Sequence, residues 1–154
     1  MKKDSYLEDI LKKCDVCRQD VNVDQYGNGE CHHCGWKQNS YAQDSPDRVM
    51  YPNLVSFNKA KLLYKQGKKF NPTLEDFVEG LFFYSEMEFY YNTRRYAVLL
   101  KTNTLIIIFY EYYNDNSLQE YKTKEEFIAK AHINGTLLSD IWNVVEKINY
   151  MSCE

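Results

Sequence analysis

The chain has 154 residues, of which 44% are hydrophobic and 27% charged, with a formal net charge of −3. That apolar content excludes a mostly disordered protein, and the length suits one domain or two small ones. No apolar run approaches the ~20 residues of a membrane span, and the longest, Thr104 to Tyr113, is interrupted by Glu111.

Met1-Lys2-Lys3-Asp4 leads into an amphipathic stretch without the apolar segment of a secretory signal, so a cytoplasmic protein with no membrane association is expected. Ser5 with Glu8 reads as a capping box, and Tyr6, Leu7, Ile10 and Leu11 as one apolar face, predicting a short helix. Cys14 and Cys17 then form one Cys-x-x-Cys pair, and Cys31 and Cys34 form a second after thirteen residues. Four thiolates at this spacing close around one tetrahedral ion, because each pair supplies two ligands from a tight turn and the spacer folds back. Gly35 follows the second pair as in a zinc knuckle, and Tyr26-Gly27-Asn28-Gly29 supplies the reversal. The expected cofactor is a structural Zn²⁺ held by Cys14, Cys17, Cys31 and Cys34. Two disulfides suit a secreted protein better, and redox pairs normally occur singly. His32 and His33, between the second two cysteines, are expected to point away from the metal, and Cys153 to be a free thiol.

Residues 39 to 53, polar and carrying Pro46 and Pro52, read as an irregular loop. Ser56 caps a predicted helix through Gln66 with Gly67 as its stop, and Thr73 with Asp76 opens another, in which Leu74, Phe77, Val78 and Leu81 repeat. The period then changes to two. Residues 86–91, 95–101 and 104–113 read as strands joined by turns at Asn92-Thr93 and Thr102-Asn103, an antiparallel meander with a further strand near 118–122. Thr123 and Glu126 form a third capping box before a helix over 124–131, and Leu138, Ile141, Val144, Val145 and Ile148 predict a final helix over 137–148. Expected core residues include Phe77, Leu81, Phe89, Val98, Leu100, Ile106, Ile108, Phe127, Ile141 and Val145.

Residues 1–72 carry twelve Lys/Arg against nine Asp/Glu, and residues 73–154 seven against thirteen, for net charges of +3 and −6. This division suggests two modules: a zinc-ribbon module with flanking helices over 1–72 and a small α+β domain over 73–154. The fold class expected is α+β, a four-cysteine zinc ribbon followed by an antiparallel meander with helices packed on one face.

Cys31-His32-His33-Cys34-Gly35-Trp36 with Asn39, then Pro52-Asn53-Leu54-Val55-Ser56-Phe57-Asn58-Lys59-Ala60 onward to Tyr64 and Gly67, resembles the bacterial cysteine-rich CPCC family. The resemblance covers about residues 14–67, although Cys14-Asp15-Val16-Cys17 lacks the proline and the adjacent third cysteine of the family motif. It implies a small cysteine zinc ribbon followed by a helix, metal binding, and a bacterial or mobile-element origin, without an established activity.

Four cysteine ligands leave no open coordination position for hydrolysis, and no Ser/His/Asp order, glycine-rich phosphate loop or HExxH helix appears, so no enzyme is expected. His132 reads as a helix-end histidine, and Glu86 with Glu88 as solvated strand carboxylates. Lys59, Lys61, Lys65, Lys68 and Lys69, interleaved with Tyr64 and Phe70, raise nucleic-acid binding as an alternative, which the acidic second half disfavours. Fourteen tyrosines exceed what one core can take. Tyr90, Tyr110 and Tyr112 beside Glu88 and Glu111 are therefore read as a protein-binding surface. The expected function is a non-catalytic zinc-binding protein acting through a protein partner, with the profile of an inhibitor or immunity-type protein.

Overall fold

Both cysteine pairs lie in the turns of short antiparallel hairpins. A computed structural model describes residues 10–150, and the chain divides into two compact units, Met1–Phe70 and Asn71–Glu154. In the first unit β1 (Ile10–Lys13) pairs with β2 (Asp20–Val23), and β3 (Gly29–Glu30) pairs with β4 (Lys37–Gln38). Ile10 and Leu11 therefore belong to a strand rather than to the expected helix, whose Ser5, Tyr6, Leu7 and Glu8 lie outside the described residues. Burial is supplied by the opposite strand: Val21 and Val23 point inward while Ile10 and Leu11 remain exposed. No apolar helix face is formed there.

The reversal between β2 and β3 is built around Asp24, whose carboxylate accepts from the N–H groups of Tyr26 and Asn28, both at 2.9 Å. These donors, Asn28 foremost, hold its carboxyl below the usual range. Gly29 is required sterically, because a Cβ there would strike the carbonyl oxygen of Asn22. The stretch read as irregular contains a one-turn helix, α1 (Ser40–Asp44), with Asn39 accepting from the Tyr41 N–H as its N-cap. Helix α2 (Phe57–Lys65) starts where Ser56 Oγ accepts from the Lys59 N–H, and it stops at Gly67 with φ +67°. Trp36 is the centre of this unit's core, its ring 5.8 Å from Phe57 and 6.2 Å from Phe70.

The second unit opens with α3 (Leu74–Tyr84), where Thr73 and Asp76 form the reciprocal capping box. The meander follows as β5 (Glu86–Tyr91), β6 (Arg94–Lys101), β7 (Ile106–Glu111) and β8 (Gln119–Tyr121). Asn92 and Thr93, with φ +48° and +65°, make the two-residue turn that the right-handed twist of a hairpin favours. Thr123 caps α4 (Lys124–Lys130), but Glu126 reaches back to the N–H of Lys122. Next come β9 (His132–Ile133) and β10 (Thr136–Leu137), a small hairpin turned at Asn134-Gly135; His132 opens β9 directly after the α4 C-cap Ala131, with its Nδ1 3.1 Å from the Lys130 carbonyl at the helix end.

The expected final helix is replaced by a single turn, α5 (Leu138–Ile141), a 3₁₀ turn over Trp142–Val144, and a strand, β11 (Glu146–Tyr150). β11 pairs with β5, giving an antiparallel sheet in the order β11-β5-β6-β7-β8. Without it, the backbone groups along that edge of β5 would lack partners, a stronger demand than the helical spacing of a few apolar side chains.

Strand alternation sends Met87, Phe89, Val98, Leu100, Ile107 and Phe109 into the core. There Phe77 meets Phe89 at 6.0 Å and Trp142 at 4.8 Å, while Phe127 meets Phe109 at 5.9 Å. Each such fully buried side chain contributes about 1.5–3 kcal/mol. Ile106 and Ile108, expected in this core, lie on the other face and are half-buried, as is Val145. Trp142 enters the core with its Nε1–H donated to the Pro72 carbonyl at 2.9 Å. No helix among the described residues is long and apolar enough to cross a membrane.

Candidate metal centre

Cys14 to Cys17 and Cys31 to Cys34 form two copies of one turn. Cys14 N–H donates to the Gln19 carbonyl at 2.7 Å and Cys31 N–H to the Trp36 carbonyl at 2.9 Å, closing each loop. Within them Arg18 N–H donates to Cys14 O at 3.0 Å and Gly35 N–H to Cys31 O at 2.7 Å. Arg18 and Gly35 both adopt the left-handed region, at φ +66° and +83°.

The four sulfurs all lie within 4.8 Å of one another. Cys14 Sγ is 3.7 Å from Cys34 Sγ, and Cys17 Sγ is 3.6 Å from Cys31 Sγ. A tetrahedral ion with metal–sulfur bonds of ~2.3 Å needs sulfurs separated by about 3.8 Å. The spacing therefore fits a metal and excludes disulfides, which bring sulfur atoms to ~2.05 Å. All four thiols are free, and three of them are buried. His32 and His33 are exposed and stand outside the cluster.

Local polarity favours negative sulfur at Cys14 alone. Burial pushes the Cys14 thiol up, but the N–H groups of Cys17 and Val16, with help from Gln38 and Cys34, outweigh it and bring Cys14 down to about 7. Burial pushes Cys17 and Cys34 up. One thiolate is thus favoured near neutrality, and a cation at the centre is what Cys17 and Cys34 need in order to lose their protons.

Gln38 was not a sequence-derived candidate, and nothing in the cysteine spacing points to it. It is buried, donates Nε2–H to Cys14 Sγ at 3.2 Å, and accepts the Asp15 N–H on Oε1 at 3.1 Å. Its position is set by Asn53, which brackets the neighbouring residue: Asn53 Oδ1 accepts from Lys37 N–H at 3.1 Å, and Nδ2 donates to Lys37 O at 2.8 Å. The asparagine of the Pro52-Asn53 motif thus satisfies the β4 edge as a paired strand would.

In the second unit, strand pairing places Glu88, Ala97 and Tyr110 side by side, with Tyr90 and Arg95 next to them. Arg95 is the organiser that sequence reasoning missed. Its guanidinium contacts Glu88 Oε2 at 2.5 Å and covers the Tyr112 ring at 4.1 Å, while the Lys147 ammonium lies 5.1 Å from the Tyr90 ring centre. Glu88, Tyr90, Tyr110 and Tyr112 share the sheet face opposite the buried Phe89 and Phe109. Glu111 does not join them. It lies on the other side of β7, 3.4 Å from Arg94 and held by Asn114 at 3.2 Å.

The lysines are similarly divided. Lys59 and Lys61 are half-buried on α2, with the Lys61 ammonium 4.5 Å from the Phe57 ring centre. Lys68 and Lys69 are exposed and line a groove of about 250 Å³ beside Cys34, together with His33, Tyr64 and Phe70. Comparison with protein-family models, curated proteins and solved structures gave no match to this chain.

Proposed function

We propose that the chain is a non-catalytic zinc-binding protein that acts by binding another protein. The observation that carries the metal half of this reading is the four-sulfur cluster, whose separations suit a tetrahedral thiolate site. With all four positions filled by sulfur, the ion's role is to hold the ribbon together. Elemental analysis of protein purified without chelator is expected to find one zinc per chain. Disulfides at these pairs, or a different metal in the cluster, overturns it.

The partner half rests on the sheet face bearing Glu88, Tyr90, Arg95, Tyr110 and Tyr112, where amphipathic rings surround a paired charge. An acidic, tyrosine-rich second unit suits an inhibitor or immunity-type role. The resemblance of residues 14–67 to the CPCC family favours a bacterial or mobile-element origin. Pull-down from a bacterial lysate is expected to retain a protein with the intact chain and to lose it with the Glu88→Ala/Tyr110→Ala double variant. Identical capture by both refutes this surface.

The groove lined by His33, Tyr64, Lys68 and Lys69 favours a second reading, nucleic-acid binding by a ribbon with stacking rings and phosphate-facing lysines. Affinity for mixed oligonucleotides across a salt series tests it. Binding through phosphate must weaken steeply as salt rises.

A further inference from the structure

A cavity of the second unit counts Tyr110 and Glu111 among its lining residues, but the loop-borne groups that complete it play no part in the readings above. It measures about 490 Å³, within the size range of small-molecule sites. Tyr96 on β6 and Phe109 to Glu111 on β7 line it from adjacent strands, the β7–β8 connection contributes Asn114 and Asn116 to Gln119, and the β9–β10 hairpin contributes His132 to Gly135.

Its hydrogen-bonding groups divide into committed and available ones. Ser117 Oγ accepts from Glu111 N–H and donates to Asn114 O, and the Gln119 amide is consumed by His132 and the Tyr121 hydroxyl. His132 Nδ1 lies 3.1 Å from the Lys130 carbonyl. A carbonyl only accepts, so Nδ1 carries the proton and Nε2 of the neutral ring is an acceptor. Tyr96 is 4% exposed, yet its hydroxyl has no hydrogen-bond partner among the described residues. The oxygen is not sealed from solvent, and Tyr96 lines the cavity. Burial and the nearby Glu111 carboxylate push its ionisation up, which keeps it a donor. The side-chain amides of Asn116 and Asn134 are likewise uncommitted among the described residues.

Charge decides the ligand class. No lysine or arginine lines the cavity and Glu111 does, which disfavours phosphates and carboxylates. The Glu111 charge is already opposed by Arg94, so a cation is not required. Neutral donors and acceptors beside aromatic rings are left over, and an apolar guest would strand them. We propose that this cavity binds a neutral, polyhydroxylated small molecule of the carbohydrate class, held by the Tyr96 hydroxyl, Asn116, Asn134 and His132 Nε2.

Saturation-transfer NMR on the full chain, with neutral mono- and disaccharides, their phosphorylated counterparts and neutral nucleosides, tests this. At least one neutral saccharide is expected to bind with a dissociation constant below about 10 mM, and its phosphorylated form more weakly. Tyr96→Phe and Asn116→Ala should each weaken binding roughly five- to tenfold, the loss of one neutral hydrogen bond, while the melting temperature holds. The proposal is overturned by the absence of saccharide binding, by preference for phosphorylated sugars or nucleosides, or by unchanged affinity in both variants.

Discussion

Arg18 and Gly35 occupy equivalent places in the two knuckles, each one residue past the second cysteine and each left-handed. Only glycine adopts that conformation without cost; for other residues it is unfavourable by roughly 1–2 kcal/mol. Arg18→Gly is therefore expected to stabilise the first unit by about 0.5 kcal/mol, because the added freedom of the unfolded chain offsets part of the relief. Gly35→Ala should destabilise it by about 1 kcal/mol, although the space around Gly35 is open. Denaturant titrations of the metal-loaded variants check both signs.

Gln38 reaches Cys14 from the opposite hairpin, so its loss should act on the metal rather than on the fold at large. Groups that orient a ligand from behind typically change metal affinity by 10–100-fold. Gln38→Leu preserves volume but removes the donor to sulfur and leaves the Asp15 N–H unpaired. Competition with a chromophoric chelator should show affinity reduced about tenfold or more. Asn53→Ala should produce a smaller loss, because it loosens β4 without touching sulfur.

The four-cysteine cluster was legible because its members are close in sequence and their spacing is specific. The same holds for α3 and the meander, where a capping box and a change of period mark the boundaries locally. What escaped reading depended on distant partners. Leu138, Ile141, Val144, Val145 and Ile148 fit a helical face, but Glu146 pairs with Tyr90 and Tyr150 with Met87, a demand invisible from residues 137–148 alone. Glu88 and Glu111 were grouped by composition, and only the register, with Glu88 beside Ala97 and Ala97 beside Tyr110, separates them. Gln38 and Arg95 escaped for the same reason, since neither has a local pattern.

Pairing of β11 with β5 predicts a defined failure when it is removed. Truncation after Val145 leaves the core rings of Phe77, Phe89 and Trp142 in place but uncovers the β5 edge from Met87 to Tyr90. An open edge of apolar and aromatic residues templates pairing between chains. The truncated protein should retain far-ultraviolet circular dichroism while forming concentration-dependent oligomers in size-exclusion chromatography. A monomer at every concentration would show that β11 does not protect this edge.

Arg95 binds Glu88 and covers Tyr112, so its removal should be felt through both neighbours. The Glu88 carboxylate is largely covered, with 13% of its side chain exposed, whereas Arg95 is more open at 40%. Solvent at the arginine screens the pair, and a cost of about 1 kcal/mol is expected for Arg95→Met. Glu88→Gln should cost less, because the amide oxygen still accepts from the guanidinium. Thermal unfolding of the two variants gives the order directly.

Metal removal tests how far each unit stands alone. The first unit's core joins Trp36, Val16, Val21, Val23, Ala42, Val55 and Ala60 to the cysteines in a single cluster, so its apolar groups pack directly on the residues that would hold the ion. The second unit buries Phe77, Leu81, Phe89, Val98, Phe109 and Phe127 without any cysteine. Chelation at neutral pH, and Cys31→Ser, are each expected to abolish the ordered signal of the first unit and leave the sheet and its helices folded. Far-ultraviolet circular dichroism should then fall only in part, and amides of β5, β6 and β7 should keep their slow hydrogen exchange. Cooperative loss of both units on chelation would refute independence and would place the metal in the folding of the whole chain.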